Sequence, residues 1–557
     1  MKKLKYILFV LFISSACEDY LDRSPLDQPS SATFWSNEGE LILAINGCYN
    51  TLTHTQTGPV PFFMIFDVMT DIGWNRSASS LTPIRLGVAT TDNNEFLSIW
   101  RVLYQGISST NLLLENMHRA EASTDPALFA RIAAEARFLR AFYYFYLNEL
   151  WGGVPLITTS LSLSESQTPR ATKEAVTDFI IAELNEAAQV LPESYGASEV
   201  GRATKGAALT LLSRVALFNE RWTVAAEASK QVMDLGVYRL FPDYLNLFYY
   251  ENQDAEEVIF SQRFMRGLQV HTLPRRIGSR NGGGTSEIIP QLALMDSYEC
   301  IDGLPIDESP LYDPLNPHLN RDPRLNHTLV MPGTNHWGFQ FETHADSVVC
   351  WDYNTDPPQR IENQDVTNPF AGFSGVLIRK YADPSDRFDN ANSTLNFIIM
   401  RYAEVLLNYA EAKIELNEID ASVYDAINQI RQRESVQMPV IEAGKTQEQM
   451  RAVVRKERKY ELALEGLRFF DIRRWGIAED VMQDNSYGRP KIPGTLNWLL
   501  EAPQIDQWGT PDYSNVSNKG DLRVLETRIF NENKHYLFPI PFQELEVNPN
   551  LQQNPNW

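Results

Sequence analysis

Apolar residues recur at helical spacing over two long stretches of the chain, and the segments between and after them have a different texture. Phe96 to Met117 and Ala127 to Leu150 read as helices parted by the turn signal STDP, Ser123 to Pro126. The second carries Phe138, Leu139, Phe142, Tyr143, Phe145, Tyr146 and Leu147, too many apolar positions for one stripe, so neighbours must enclose it. Further helices are predicted at Lys173 to Val190, Lys205 to Phe218 and Thr223 to Leu235, then at Phe397 to Asn417, Ala421 to Arg433 and Gln447 to Leu467. Leu211 to Asp234, LLSRVALFNERWTVAAEASKQVMD, resembles Leu407 to Gln432, LNYAEAKIELNEIDASVYDAINQIRQ. Each is a helix, a polar turn and a second helix with alanines where the two must approach, the pattern of degenerate tetratricopeptide repeats. The fold class read from this is mainly α, with helical repeats over about 95–240 and 397–476.

The interruption, about 241–396, holds three glycines in a row at Gly282 to Gly284 and prolines at 305, 310, 314, 317, 323, 357, 358 and 369, so it reads as loop-rich with a few short strands. Its aromatics, among them Trp337, Phe339, Phe341, Trp351 and Tyr353, sit among turn residues. Trp100, Trp151, Trp222 and Trp475 lie on helical stretches and read as core. Residues 477–557 are again irregular and close on LFPIPFQELEVNPNLQQNPNW.

The start of the chain has its own pattern. Lys2, Lys3 and Lys5 precede an apolar run from Tyr6 to Ile13, followed by Ser14, Ser15 and Ala16, the three regions of a bacterial export signal over 1–16. As a helix the run reaches only about 12 Å against a hydrocarbon core of about 30 Å, so it does not span a bilayer. Cys17, directly after the small residues, offers a thiol for lipidation, and several acyl chains at about 0.8 kcal/mol per buried CH₂ hold a soluble body on a membrane. Residues 17–557 then form the mature body.

Composition narrows the function classes. The 557 residues carry 71 acids against 49 lysines and arginines, a formal charge of −22 that repels nucleic acid. Cys48, Cys300 and Cys350 have no metal-like spacing. There is no HExxH and no GxSxG, and the GKT at Gly444 to Thr446 lacks the earlier glycine of a phosphate loop. Neither a cofactor nor a metal is expected, and the chain reads as a non-enzyme.

Six stretches carry a resemblance: CEDYLDRSPLDQP at Cys17, EARFLRAFYYFYLNELWGGVPLI at Glu135, KGAALTLLSRVALF at Lys205, RYAEVLLNYAEAKIELN at Arg401, ERKYELALEGLRFFDIRRWG at Glu457, and the closing FPIPFQELEVNPNLQQNPNW. In this order they resemble the SusD/RagB outer-membrane nutrient-binding lipoproteins over nearly all the mature chain. The resemblance implies one body, in which four tetratricopeptide-like helix pairs form a curved scaffold and the irregular segments pack on it as the ligand side. It further implies a lipid anchor at Cys17, exposure on the cell surface, and a role as lid on a SusC-like TonB-dependent transporter that receives an oligosaccharide. Glu18 and Asp19 resemble the signal that sends such lipoproteins to the outer face. The competing readings are a peptide-capturing relative, a surface glycoside hydrolase and a purely structural repeat scaffold.

A sugar presents an apolar C–H face and a rim of hydroxyls, so its site needs an aromatic platform beside carboxylate, amide or guanidinium groups. TDIGWNR places Asp71, Trp74, Asn75 and Arg76 together in a turn-like segment before the first long helix. The interruption adds Cys300 in YECIDG, Trp337, Trp351 and Arg379 in IRKY, upstream of the helix that carries Tyr402. The resemblance implies that ligand residues come from these two regions, while Asp71, Arg379 and Tyr402 read equally as ion pairs or core groups.

Overall fold

A computed structural model describes residues 34–557 apart from 54, 57–59, 163–164, 491 and 495–497, so the export signal and Cys17 lie outside the described residues. The main helices are α1 (Glu38–Asn50), α2 (Asn94–Asn116), α3 (Pro126–Trp151), α4 (Lys173–Val190), α5 (Lys205–Phe218), α6 (Trp222–Leu235), α7 (Tyr402–Glu415), α8 (Ala421–Arg431), α9 (Gln447–Glu461) and α10 (Arg468–Arg474). Their starts follow from side-chain caps. Asp125 accepts the N–H groups of Ala127 and Leu128 with Pro126 in the first turn, and Thr172 and Thr204 accept those of Ala175 and Ala207. Thr446 and Gln449 close a reciprocal capping box on α9.

Each helix packs on the next in the series α2, α3, α4, α5, α6, α7, and α7 then receives both α8 and α9. The step from α6 to α7 bridges the interruption, so two arrays far apart in sequence are one mainly α stack of helix pairs in space. α5 lies inside this stack and is buried on every side from Gly206 to Phe218. Each large apolar side chain enclosed in this way contributes about 1.5–3 kcal/mol. The closing segment docks on the end of α3, where Trp151 Nε1 donates to Pro539 O at 2.7 Å and Phe538 N to Leu150 O at 2.7 Å.

Three sequence expectations need correction. Phe397 to Asn417 is not one helix: Phe397–Arg401 is a strand, paired antiparallel with Val258–Gln262, and α7 begins only at Tyr402. The run FIIMR is apolar at consecutive positions and buried on both faces, and periodicity does not separate such a run from a helix. The helix from Gln447 ends at Glu461, six residues early. The segment of Trp74 is not a turn but strand β1 (Gly73–Asn75), paired with Ile288–Pro290. In the loop-rich side, Asn335–His336, Phe339–Gln340, Val349–Asp352 and Gln359–Glu362 form a four-stranded antiparallel meander. Asp484–Gly488 pairs with Arg523–Arg528.

The loop-rich side is joined to the helices by buried charge as well as by apolar contact. Glu461, at the end of α9, accepts from Arg401 at 2.8 Å and Arg433 at 2.6 Å, and its other oxygen from Arg324 at 3.1 Å. Arg401 also pairs with Glu257 and Glu465, Arg433 with Glu257, and Arg324 with Asp322 and Glu457. Burial alone would raise the Glu461 carboxyl, but three guanidiniums hold it well below the usual carboxylate range. Elements from residues 257 to 465 thus meet at one charge-paired cluster, and the ERKYELALEGL stretch supplies three of its five acids, Glu457, Glu461 and Glu465.

Candidate functional site

The two stretches do meet: Trp74 and Arg76 of the first touch a loop of the interruption whose rings, Phe370 and Phe373, are not among the expected residues. The loop Phe370 to Phe373 lies against β1, with one ring on Trp74 of that strand and the other on Arg76 just beyond it. Phe373 packs on Trp74 with ring centroids 5.5 Å apart, and the Arg76 guanidinium sits 5.2 Å from the Phe370 ring centre. Trp74 and Arg76 are two residues apart on an extended backbone and therefore share one face. On its far side Phe373 carries the Arg523 guanidinium, 3.6 Å from its ring centre. A Cβ on Gly488, the strand partner of Arg523, would meet Phe373 O at 2.1 Å, so only glycine lets the loop lie this close.

Beneath this face is a small apolar cluster of its own, formed by Trp74, Ile289, Val330, Phe341 and Leu377. Trp74 is its anchor, 6% exposed, with Nε1 donating to Glu526 Oε2 at 2.8 Å. Arg85 and Arg528 hold Glu526 in turn. Phe373 packs on this cluster, and Phe370, three residues earlier in the same loop, leaves 56% of its surface exposed beside the guanidinium of Arg76. Arg280 also meets this loop: its Nη2 donates to Phe370 O at 3.1 Å, and its backbone N–H is held by Asp365 at 2.8 Å.

The glycine run explains how Arg280 is placed. The loop around it closes on the Trp337 ring, to which a Cβ on Gly278 would come within 2.4 Å. Trp337 is 5% exposed, donates from Nε1 to Ala382 O at 3.2 Å, and stacks on His336. It is a buried post for the Arg280 loop and offers no ring face to solvent.

The other sequence candidates are distributed as follows. Asp71 is buried in a bidentate pair with Arg468 at 2.9 and 2.8 Å, with Lys459 at 3.4 Å. Burial would raise its carboxyl, yet these two cations hold it well below the usual range. Asn75 is buried and caps the following turn by accepting the Ser77 N–H at 3.0 Å. Cys300 is fully buried at a bridge to Arg321, where burial pushes its thiol up. Tyr402 is buried at the first turn of α7. Trp351 is exposed on the meander, with Arg360 5.0 Å from its ring centre, and is the one expected tryptophan that presents a face. Arg379 lines a separate cleft of about 510 Å³ together with Tyr249, Asn335, Arg387 and the exposed Phe388, and donates to Asn326 O at 3.0 Å.

Phe370, Phe373, Arg280 and Arg523 were absent from the sequence reading. The signal for the first two was present in NPFAGF, a pair of large aromatics inside a segment otherwise made of turn formers. Nothing local marks Arg280 or Arg523, because their place depends on strand pairing and on the Trp337 post. Among the described residues no group of three His, Cys, Asp or Glu is placed to hold a metal ion, and no helix is long and apolar enough to cross a membrane.

Similarity to known proteins extends over almost the whole chain. A model described as SusD family matches residues 248–557, and one described as starch-binding associating with outer membrane matches residues 19–217. A SusD-like protein of Formosa agariphila is 25% identical, with 98% of this chain and 97% of the relative covered. A SusD-like protein of Bacteroides ovatus is also 25% identical, over 85% of this chain and 82% of the relative. Among solved structures, a SusD-like carbohydrate binding protein from Bacteroides fragilis superposes with a TM-score of 0.81 at 30% identity, covering 93% of this chain and all of the other.

Proposed function

The chain belongs to the SusD family, and from that premise we propose that it is a non-catalytic, outer-membrane glycan-binding protein that captures oligosaccharide and passes it to a SusC-like TonB-dependent transporter. The observation that carries the reading is the Phe370 face: an exposed ring beside the Arg76 and Arg280 guanidiniums, on a loop whose Phe373 packs on the Trp74 cluster, at the meeting of β1 with the interrupting region. The ring covers the apolar face of a sugar, and the guanidinium N–H groups donate to its hydroxyls. The support is already ordered, so binding spends little on freezing side chains. Acylation at Cys17 and docking of the helical stack on the transporter belong to the same reading. Fatty-acid labelling that persists in Cys17→Ala counts against the first, and extraction of the chain without a barrel partner in mild detergent counts against the second.

The direct experiment is glycan affinity electrophoresis of the mature protein and its Phe370→Ala variant against a polysaccharide panel. The variant loses tenfold or more in affinity for any glycan the parent retains, about 1.4 kcal/mol. Equal retardation of both proteins places the glycan elsewhere, with the Phe388 cleft and the Trp351 strand next in line.

A further inference from the structure

Three arginines gather on the Phe370 to Phe373 loop without a carboxylate partner. Arg76 lies over Phe370, Arg280 donates to the Phe370 carbonyl, and Arg523 lies over Phe373. Among the described residues none of the three guanidiniums comes within 4.0 Å of a carboxylate oxygen. The acids nearby are already engaged: Glu287 pairs with Arg276 at 2.5 Å, Asp365 accepts the backbone N–H of Arg280, and Glu526 is held by Arg85 and Arg528. This occurs in a chain with 71 acids, where counter-charges are plentiful.

We propose that the glycan bound on this face is anionic, its carboxylate or sulfate groups seated between Arg76, Arg280 and Arg523. This rests on the glycan-binding reading and narrows its ligand. Arg76 and Arg523 stack on aromatic rings, and Arg76 and Arg280 each spend one N–H on a backbone carbonyl, so none has a carboxylate on its guanidinium, whose planar edge matches two oxygens of a carboxylate or sulfate. Phe370 then carries the apolar face of the sugar ring while the charged substituent lies at its rim. Burial lowers the pKa of all three arginines, and for Arg280 the neighbouring charge of Arg76 adds to this. The protein therefore holds three partly desolvated positive charges on one loop, which an anionic ligand would neutralise and a neutral one would not.

The test measures affinity of the mature protein for polygalacturonate, carrageenan and neutral laminarin by affinity electrophoresis and titration calorimetry, alongside Arg76→Gln/Arg280→Gln and Arg523→Gln. One anionic polymer is bound at least tenfold more tightly than laminarin, that preference weakens with added sodium chloride, and the double variant loses it with its melting temperature unchanged. Preference for polygalacturonate identifies a carboxylate and preference for carrageenan a sulfate ester. Binding of laminarin as tightly as either anionic polymer, or a preference untouched by both variants, overturns the anionic assignment and leaves glycan binding intact. Retention of none of the three polymers overturns the anionic assignment and the glycan reading together.

Discussion

Arginine occupies two opposed settings in this molecule. At the junction of the helical stack with the loop-rich side, Arg324, Arg401 and Arg433 are fully buried, and every one is matched by carboxylates. On the Phe370 face, Arg76, Arg280 and Arg523 are half-buried, backed by aromatic rings and backbone, and matched by none. A buried guanidinium without its acid is costly, so the first set is locked into the fold by its partners. The second set has only backbone acceptors, Thr285 O for Arg76 and Phe370 O for Arg280, and under the proposal above a ligand supplies the counter-charge. Pairing, more than residue type, separates the two sets.

The sharpest way to break this contrast is to remove one acid from the junction. Glu461→Ala leaves Arg401, Arg433 and Arg324 short of a counter-charge and costs about 3–5 kcal/mol of stability, read from urea unfolding of the mature protein. A loss below about 1 kcal/mol would mean that the remaining acids redistribute and that the cluster is not a unit.

A smaller effect comes from a buried titratable group that has no counter-charge. His271 Nε2 lies 2.7 Å from Leu395 O, and its Nδ1 accepts the Leu273 N–H at 3.2 Å, so the neutral ring has a partner at both nitrogens. Burial depresses its pKa to about 4. The unfolded chain takes up this proton near 6.5 and the folded chain only near 4, so the unfolded state binds more protons in that window. Stability falls as pH drops from about 6.5 towards 4, and melting curves of His271→Gln show a shallower decline. Parallel curves for parent and variant would refute the assignment.

The smallest stability effect is expected on the Phe370 face. Arg523→Gln changes stability by less than about 0.5 kcal/mol, since no ion pair is lost, and thermal melting of the variant overlays that of the parent. A clear drop in melting temperature would move Arg523 into the structural class and remove it from the site.

The helical stack was legible from apolar period, because α2 to α6 declare themselves locally through runs such as KGAALTLLSRVALF. The resemblance of the six family stretches also pointed to the correct family. The loop-rich side was not legible in the same way. Trp74 and Trp337 stand among turn residues in sequence, yet strand pairing and the glycine run bury both. FIIMR is helix-like beside α7 until Val258–Gln262 pairs with it. The residues of the face were found only in three dimensions, since Phe370, Arg280 and Arg523 come from three segments that no local pattern links.

The packing of α6 on α7 has a consequence for how the protein is made. Every residue from Gly236 to Arg401 must emerge, from the ribosome or from an export channel, before α6 can meet the helix that covers it. Until then the α6 surface destined for α7 has no cover, and a chaperone that shields it over that interval would have a defined client surface.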